Sequence, residues 1–419
     1  MSEEKQRLGW HAVKEARRES RHISGPLNLK MPSRASTGGY GAIGTLDEEE
    51  GRVASAKNSI GVLTHMLLSK KINLLLVFLP CGYLSYHQQW GDQYVFWFNF
   101  LAMVPLASIL GDFTEELALH TNQVVGGLIN ATFGNAVEVV VAVEAMQAGQ
   151  IRVVQASMLG SIFSNLLLVL GCCFFFGGLY HKEQEFNATS AISNLSLLTL
   201  SSLALVLPTP FAAYYEIENE EVLMVSRIAA CFLLAMYIQL LFFQLYTHSY
   251  LVEDDDDDEE PEMSFWVAFG GLIFVTILVS LFSEYLVSSI DGFTESSGIS
   301  KTFVGLIILP VVGNAVEHIT AVTVAMKNKM DLSMGVAVGS SSQVSLFVVP
   351  FIVLYGWAKN IDMTLNFPHF EIMLYILSVI IVTNCVMNGR SNWLEGSLLI
   401  STYFMIAIGF WYEKVREFR

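Results

Sequence analysis

The sequence is poor in charge. Only 15% of its 419 residues are Asp, Glu, Lys or Arg, against about 25% in soluble domains, while 53% are hydrophobic and the mean hydropathy is +0.50. A soluble protein of this length needs two or three domains with charged surfaces, so a soluble enzyme is excluded. Basic residues are scarcer still, 23 against 39 acids, for a net charge of −16. That balance excludes a nucleic-acid binder, and no nucleic-acid partner is expected. The five cysteines, Cys81, Cys172, Cys173, Cys231 and Cys385, lie in apolar runs without disulfide-framework or metal spacing, and read as small hydrophobes. No ATP-binding motif is present, and no cofactor is expected. The start, MSEEKQRLGW, has no apolar core, so no cleaved signal peptide is expected.

Long apolar runs are what the chain has. After a polar stretch at 1–70, too poor in apolar residues to fold alone, spans are expected at 72–89, 94–111, 123–147, 152–178, 188–209, 222–246, 264–290, 299–326, 332–358, 369–388 and 393–412. The runs are continuous rather than alternating, so they are helices and not barrel strands. The fold expected is an all-α polytopic membrane protein of about eleven helices, in contact with the lipid bilayer. Its parts are a disordered tail (1–70), a first helix (71–92), a five-helix unit (93–250), an acidic linker (251–263) and a second five-helix unit (264–413).

The two units are copies. At an offset of 179 residues, Gly134-Asn135-Ala136-Val137-Glu138 falls on Gly313-Asn314-Ala315-Val316-Glu317. At the same offset Val125-Gly126 falls on Val304-Gly305, Gly160-Ser161 on Gly339-Ser340, Asp112 on Asp291 and Glu116 on Glu295. Five helices per copy is an odd number, so the second copy enters from the opposite side and lies upside down, an inverted repeat of the kind that builds secondary transporters. Six spans precede the acidic linker, which places it on the side of the tail. Residues 1–71 hold 12 of the 23 basic residues, and the positive-inside rule makes that side cytosolic.

Glu138 and Glu317 lie inside apolar spans, where a carboxylate needs a partner, a cavity or a proton. Inversion brings both near the midplane. Asn135 and Asn314 precede them by three positions and share their helix faces. Two carboxylates with amide and carbonyl oxygens form a hard donor set, suited to Ca²⁺ or Mn²⁺. His318 has no counterpart, since Val139 holds the matching place, and proton coupling and packing both fit it. Asp112 with Glu116, and Asp291 with Glu295, repeat a D-x-x-x-E pattern at helix ends. Together with Glu115 they fit either solvated ends or acids that guide ions toward the site. Ser161, Ser164, Ser340 and Gln343, small or polar residues in apolar runs, fit helix packing or secondary oxygen ligands.

The paired GNAVE segments and the acidic run Glu253–Glu262 resemble the calcium/proton exchangers of plant and fungal vacuoles. So does Ala156-Ser157-Met158-Leu159-Gly160-Ser161 running into Ser164-Asn165-Leu166. The resemblance covers about residues 70–412 and implies an eleven-helix fold with a cytosolic acidic helix between the halves. It also implies Glu138 and Glu317 as the ion-binding carboxylates, with a role for Glu115 or Glu116 and for Glu295. The related sodium/calcium exchangers carry Pro before the signature acid. Val137 and Val316 stand there instead, which favours H⁺ as counter-ion.

The activity expected is antiport: Ca²⁺ from the cytosol against H⁺ from the vacuolar lumen, by alternating access. The alternative is a sodium-coupled exchanger or a divalent cation channel of the same architecture.

Overall fold

A computed structural model describes residues 61–215, 219–247 and 261–413. Among these, nine helices are long and apolar enough to cross a bilayer, or eleven if each of two bent pairs forms one span. The first pair is α1 (Gly61–Ser69) and α2 (Lys71–His87), bent by 93°. The tail expected over 1–70 therefore ends earlier. Val62, Leu63, Met66 and Leu67 recur one turn apart and pack against the core, and that contact stabilises a helix which composition alone does not reveal. Residues 1–60 and most of the acidic linker lie outside the described residues.

Repeat one comprises α3 (Asp92–Leu119), α4 (Gln123–Phe133) with α5 (Ala136–Gln147), α6 (Ile151–Tyr180), α7 (Ala191–Tyr215) and α8 (Asn219–Thr247). Repeat two comprises α9 (Phe265–Ser288) with α10 (Ile290–Ser297), α11 (Lys301–Met326), α12 (Met330–Lys359), α13 (His369–Val386) and α14 (Trp393–Trp411). The 179-residue offset carries α6 onto α12 end for end. Each holds a π-helical segment at matching places, Ser164–Val169 and Val344–Val348.

The loops show the inversion. At one end, His120 Nε2 meets the Met263 carbonyl at 2.6 Å, Gln184 Nε2 donates to the Ala325 carbonyl at 2.8 Å, and β1 (Gln184–Glu185) pairs antiparallel with β2 (Arg390–Ser391). At the other end, Gln147 Nε2 donates to Tyr355 Oη at 3.0 Å, Lys301 Nζ to Gln150 Oε1 at 3.0 Å, and Gln155 Nε2 to the Thr364 carbonyl at 2.9 Å. The loop after α5 and its counterpart after α11 thus lie at opposite ends. These are called below the Gln150 end and the Gln184 end.

Where spans cross closely, glycine permits it. A Cβ on Gly160 of α6 would stand 2.2 Å from the Leu306 carbonyl oxygen of α11. Arg152 on α6 and Glu371 on α13 form an ion pair in which the acid is fully buried.

Candidate ion-binding site

The repeats break differently at their shared motif. Between α4 and α5 the chain bends by 43° at Gly134–Asn135, whereas α11 runs unbroken through Gly313-Asn314. In α11 the glycine serves an approach from outside, since a Cβ at Gly313 would meet Glu138 Oε1 at 2.6 Å. The two pockets repeat the pairing of residues, though a Cβ at Gly134 would meet only the Asn130 backbone. Glu138 shares its pocket with Gly313, and Glu317 shares its own with Gly134.

Four hydrogen bonds cross between the repeats at this level. Asn135 Nδ2 donates to Gln343 Oε1 at 2.9 Å, Asn314 Nδ2 to Ser161 Oγ at 2.9 Å, and Asn165 Nδ2 to Ser340 Oγ at 3.1 Å; Ser164 Oγ meets His318 Nε2 at 3.2 Å. The structure thus brings together Asn135, Glu138, Asn314 and Glu317 with Ser161, Ser164, Ser340, Gln343 and His318. Asn165 belongs with them, and repeat matching passes over it because its counterpart is Val344. What marks Asn165 is a polar side chain in an apolar run next to a serine.

Oxygens without partners define the chemistry. Glu138 Oε2, Glu317 Oε2, Asn314 Oδ1 and Asn165 Oδ1 are buried and accept no hydrogen bond. Leaving such atoms unmatched is costly, which makes these four oxygens candidate donors for a cation or for protons. All four are hard oxygens. Among the described residues, no group of three or more His, Cys, Asp or Glu stands close enough to hold a metal ion, so amide and hydroxyl oxygens must complete any shell around the two acids.

The two pockets are related by the same offset but differ in character. Val137, Val141, Ser157, Leu309 and Gly313 enclose Glu138, mostly as apolar buried walls. Asn130, Gly134, Thr320, Gly335 and Gln343 surround Glu317, and the first four are surface-exposed.

The outer acids divide. Asp112 pairs with Lys70, at the bend between α1 and α2, and its repeat mate Asp291 pairs with Lys301. Glu116 is buried and accepts a hydrogen bond from the Met263 backbone N–H at 2.5 Å, which anchors the start of repeat two to the end of α3. Glu115 and Glu295 are exposed.

A family model, sodium/calcium exchanger protein, matches residues 93–246 and 267–412, one segment for each repeat. The chain belongs to that family. Within it, the chain is 41% identical over 375 residues to the vacuolar calcium ion transporter of Schizosaccharomyces pombe, covering 87% of this chain and 90% of that one. It is 43% identical to a Ca²⁺/H⁺ antiporter of Aphanothece halophytica, covering 81% and 96%. The solved structure of native YfkE superposes with a TM-score of 0.72 at 34% identity, over 81% of this chain and 99% of that one. The resemblance read from the GNAVE pair is borne out by these exchangers, and so is the helical membrane fold.

Proposed function

We propose that this integral membrane protein is a Ca²⁺/H⁺ antiporter, with Ca²⁺ and H⁺ as substrates. One observation carries the reading: Glu138 and Glu317, matched by the repeat and each facing the other's signature glycine, both hold an unpartnered buried oxygen. Ca²⁺ between them satisfies both charges, with Asn314, Asn165 and the neighbouring Asn135 and serine hydroxyls as neutral donors. Two buried carboxylates left empty cannot both stay charged, so protons replace the departing metal. The site holds Ca²⁺ or protons and not both, which is what couples the two fluxes. The exposed polar pocket on Glu317 and the apolar enclosure of Glu138 describe a carrier open toward one end, and alternating access exchanges these two environments. Glu115 and Glu295 line the approaches, one for each side. Mn²⁺ fits the same oxygens.

A vacuolar membrane, with cytosolic Ca²⁺ exchanged for lumenal H⁺, is the setting we infer, and relatives named as vacuolar transporters support it. The tail and the acidic linker are then cytosolic. The test is Ca²⁺ uptake by vesicles holding the purified protein. Uptake driven by an imposed pH gradient and unmoved by a Na⁺ gradient is expected. Na⁺-driven uptake would point to a sodium-coupled exchanger, and conduction without any gradient to a channel.

A further inference from the structure

On the outer face of the bundle, α8 and α12 leave a groove between them. Met224, Ile228, Cys231, Phe232 and Ala235 of α8 line it, with Trp357 of α12. Met224, Ile228 and Phe232 follow one another at four-residue spacing along one exposed stripe, Phe232 being 66% exposed. Such a surface on a membrane-spanning helix meets acyl chains.

Arg227 breaks the pattern. It sits eight residues into α8, roughly 12 Å along the axis, inside the apolar run. Level with Trp357 near the end of α12, such a cation at the membrane edge attracts an anion. No carboxylate forms an ion pair with it among the described residues. Its Nε is buried with no acceptor, and the guanidinium carbon lies 5.2 Å from the Trp357 ring centroid. A second cation, Lys359 Nζ, lies 5.9 Å from the Tyr355 ring centroid near the same end of α12. The groove thus has an apolar floor and two cations at the Gln150 end, one of them held in place on an indole face.

We propose that this groove binds one phospholipid with a net-negative headgroup. Its phosphate accepts from Arg227 and lies within the field of Lys359, while an acyl chain runs along Ile228 and Phe232. A choline headgroup is disfavoured, because the aromatic face that would take its ammonium already carries the guanidinium and a further cation stands beside it. The bound lipid sits against α12, the helix that carries Ser340 and Gln343 of the ion site.

The experiment uses full-length protein, purified and stripped of lipid in detergent. It is then offered phosphatidylglycerol, phosphatidylcholine of the same chains, or inorganic phosphate, and weighed intact by native mass spectrometry. One copy of phosphatidylglycerol is expected to stay bound, with phosphatidylcholine weaker and inorganic phosphate not retained. Arg227→Gln should lower phosphatidylglycerol retention about fivefold, the weight of one basic group at a charged membrane surface. Ala235→Phe fills the groove with both cations intact and should also weaken retention, so the test survives if Arg227→Gln does not fold. Equal retention of the two lipids overturns the proposal. So does unchanged phosphatidylglycerol binding in either variant, or a second copy of the chain, displaced by Ala235→Phe, in place of lipid.

Discussion

Glutamate and glutamine differ at one atom, and that difference removes both the charge and the proton-binding oxygen. At Glu138 or Glu317 the amide keeps the side chain's shape, which at Glu138 packs against Gly313. Each Glu→Gln variant is therefore expected to fold normally and to lose pH-driven Ca²⁺ uptake altogether; uptake at the native rate in either one removes that residue from the site. Asn165 is a different case, because its free Oδ1 offers a neutral oxygen. Asn165→Ala should keep coupled exchange but raise the Ca²⁺ concentration for half-maximal transport about tenfold, the weight of one lost polar contact. An unchanged half-maximal concentration leaves Asn165 only its bond to Ser340.

Among the elements, the inverted repeat supplies its own control. Gly160→Ala drives a methyl group into the Leu306 carbonyl, a backbone atom that cannot swing aside, whereas nothing lies within 4 Å of a Cβ at the matching Gly339. Thermal unfolding in detergent should show Gly160→Ala destabilised by about 2 kcal/mol, the range of an overpacked contact, and Gly339→Ala unchanged or improved. Equal effects would mean that α6 and α11 do not cross there. The loop ends carry a second test. The hydrogen bond from Lys301 holds the Asp291 carboxyl below its ordinary 3.8, and the Gln150 amide adds to this. A depressed carboxylate contributes stability that is present above 3.8 and lost only as pH falls through the lower folded value. Protection of the loop around residues 298–300 from hydrogen exchange should therefore be the same at pH 7 and pH 5, and Asp291→Asn should weaken it at both. A loss of protection between pH 7 and 5 in the native chain would contradict this.

For the molecule as a whole, the two repeats act together only if they stay joined. Arg152 and Glu371 join α6 of one repeat to α13 of the other, and Glu371→Gln removes the guanidinium's ion-pair partner. A loss of about 2 kcal/mol in unfolding free energy is expected, less than for a fully buried pair because Arg152 keeps partial exposure. A variant as stable as the parent would show the pair to be dispensable.

Much of this protein was legible in the chain. Bilayer thickness dictates the length of an apolar run, so the helical membrane fold was legible, while the count of eleven is met among the described residues only if each bent pair forms one span. Duplication leaves identities at one fixed offset, and the odd helix number makes the copies opposed. The matched acids followed, since a carboxylate in an apolar run has few innocent explanations. What the tertiary structure alone decided lies between elements. The α1 helix forms because its apolar face of Val62, Leu63, Met66 and Leu67 finds the core, a contact that the spacing permits but only the packing supplies. Glu116 turned out to anchor Met263, a backbone partner 147 residues away that spacing cannot reveal. Asn165 entered the site through an unpartnered oxygen, which exists only once neighbouring helices have excluded every other donor. The bend at Gly134 and its absence at Gly313 have the same cause. Identical local sequence leaves both conformations open to a glycine, and the choice between them falls to the helices packed around it.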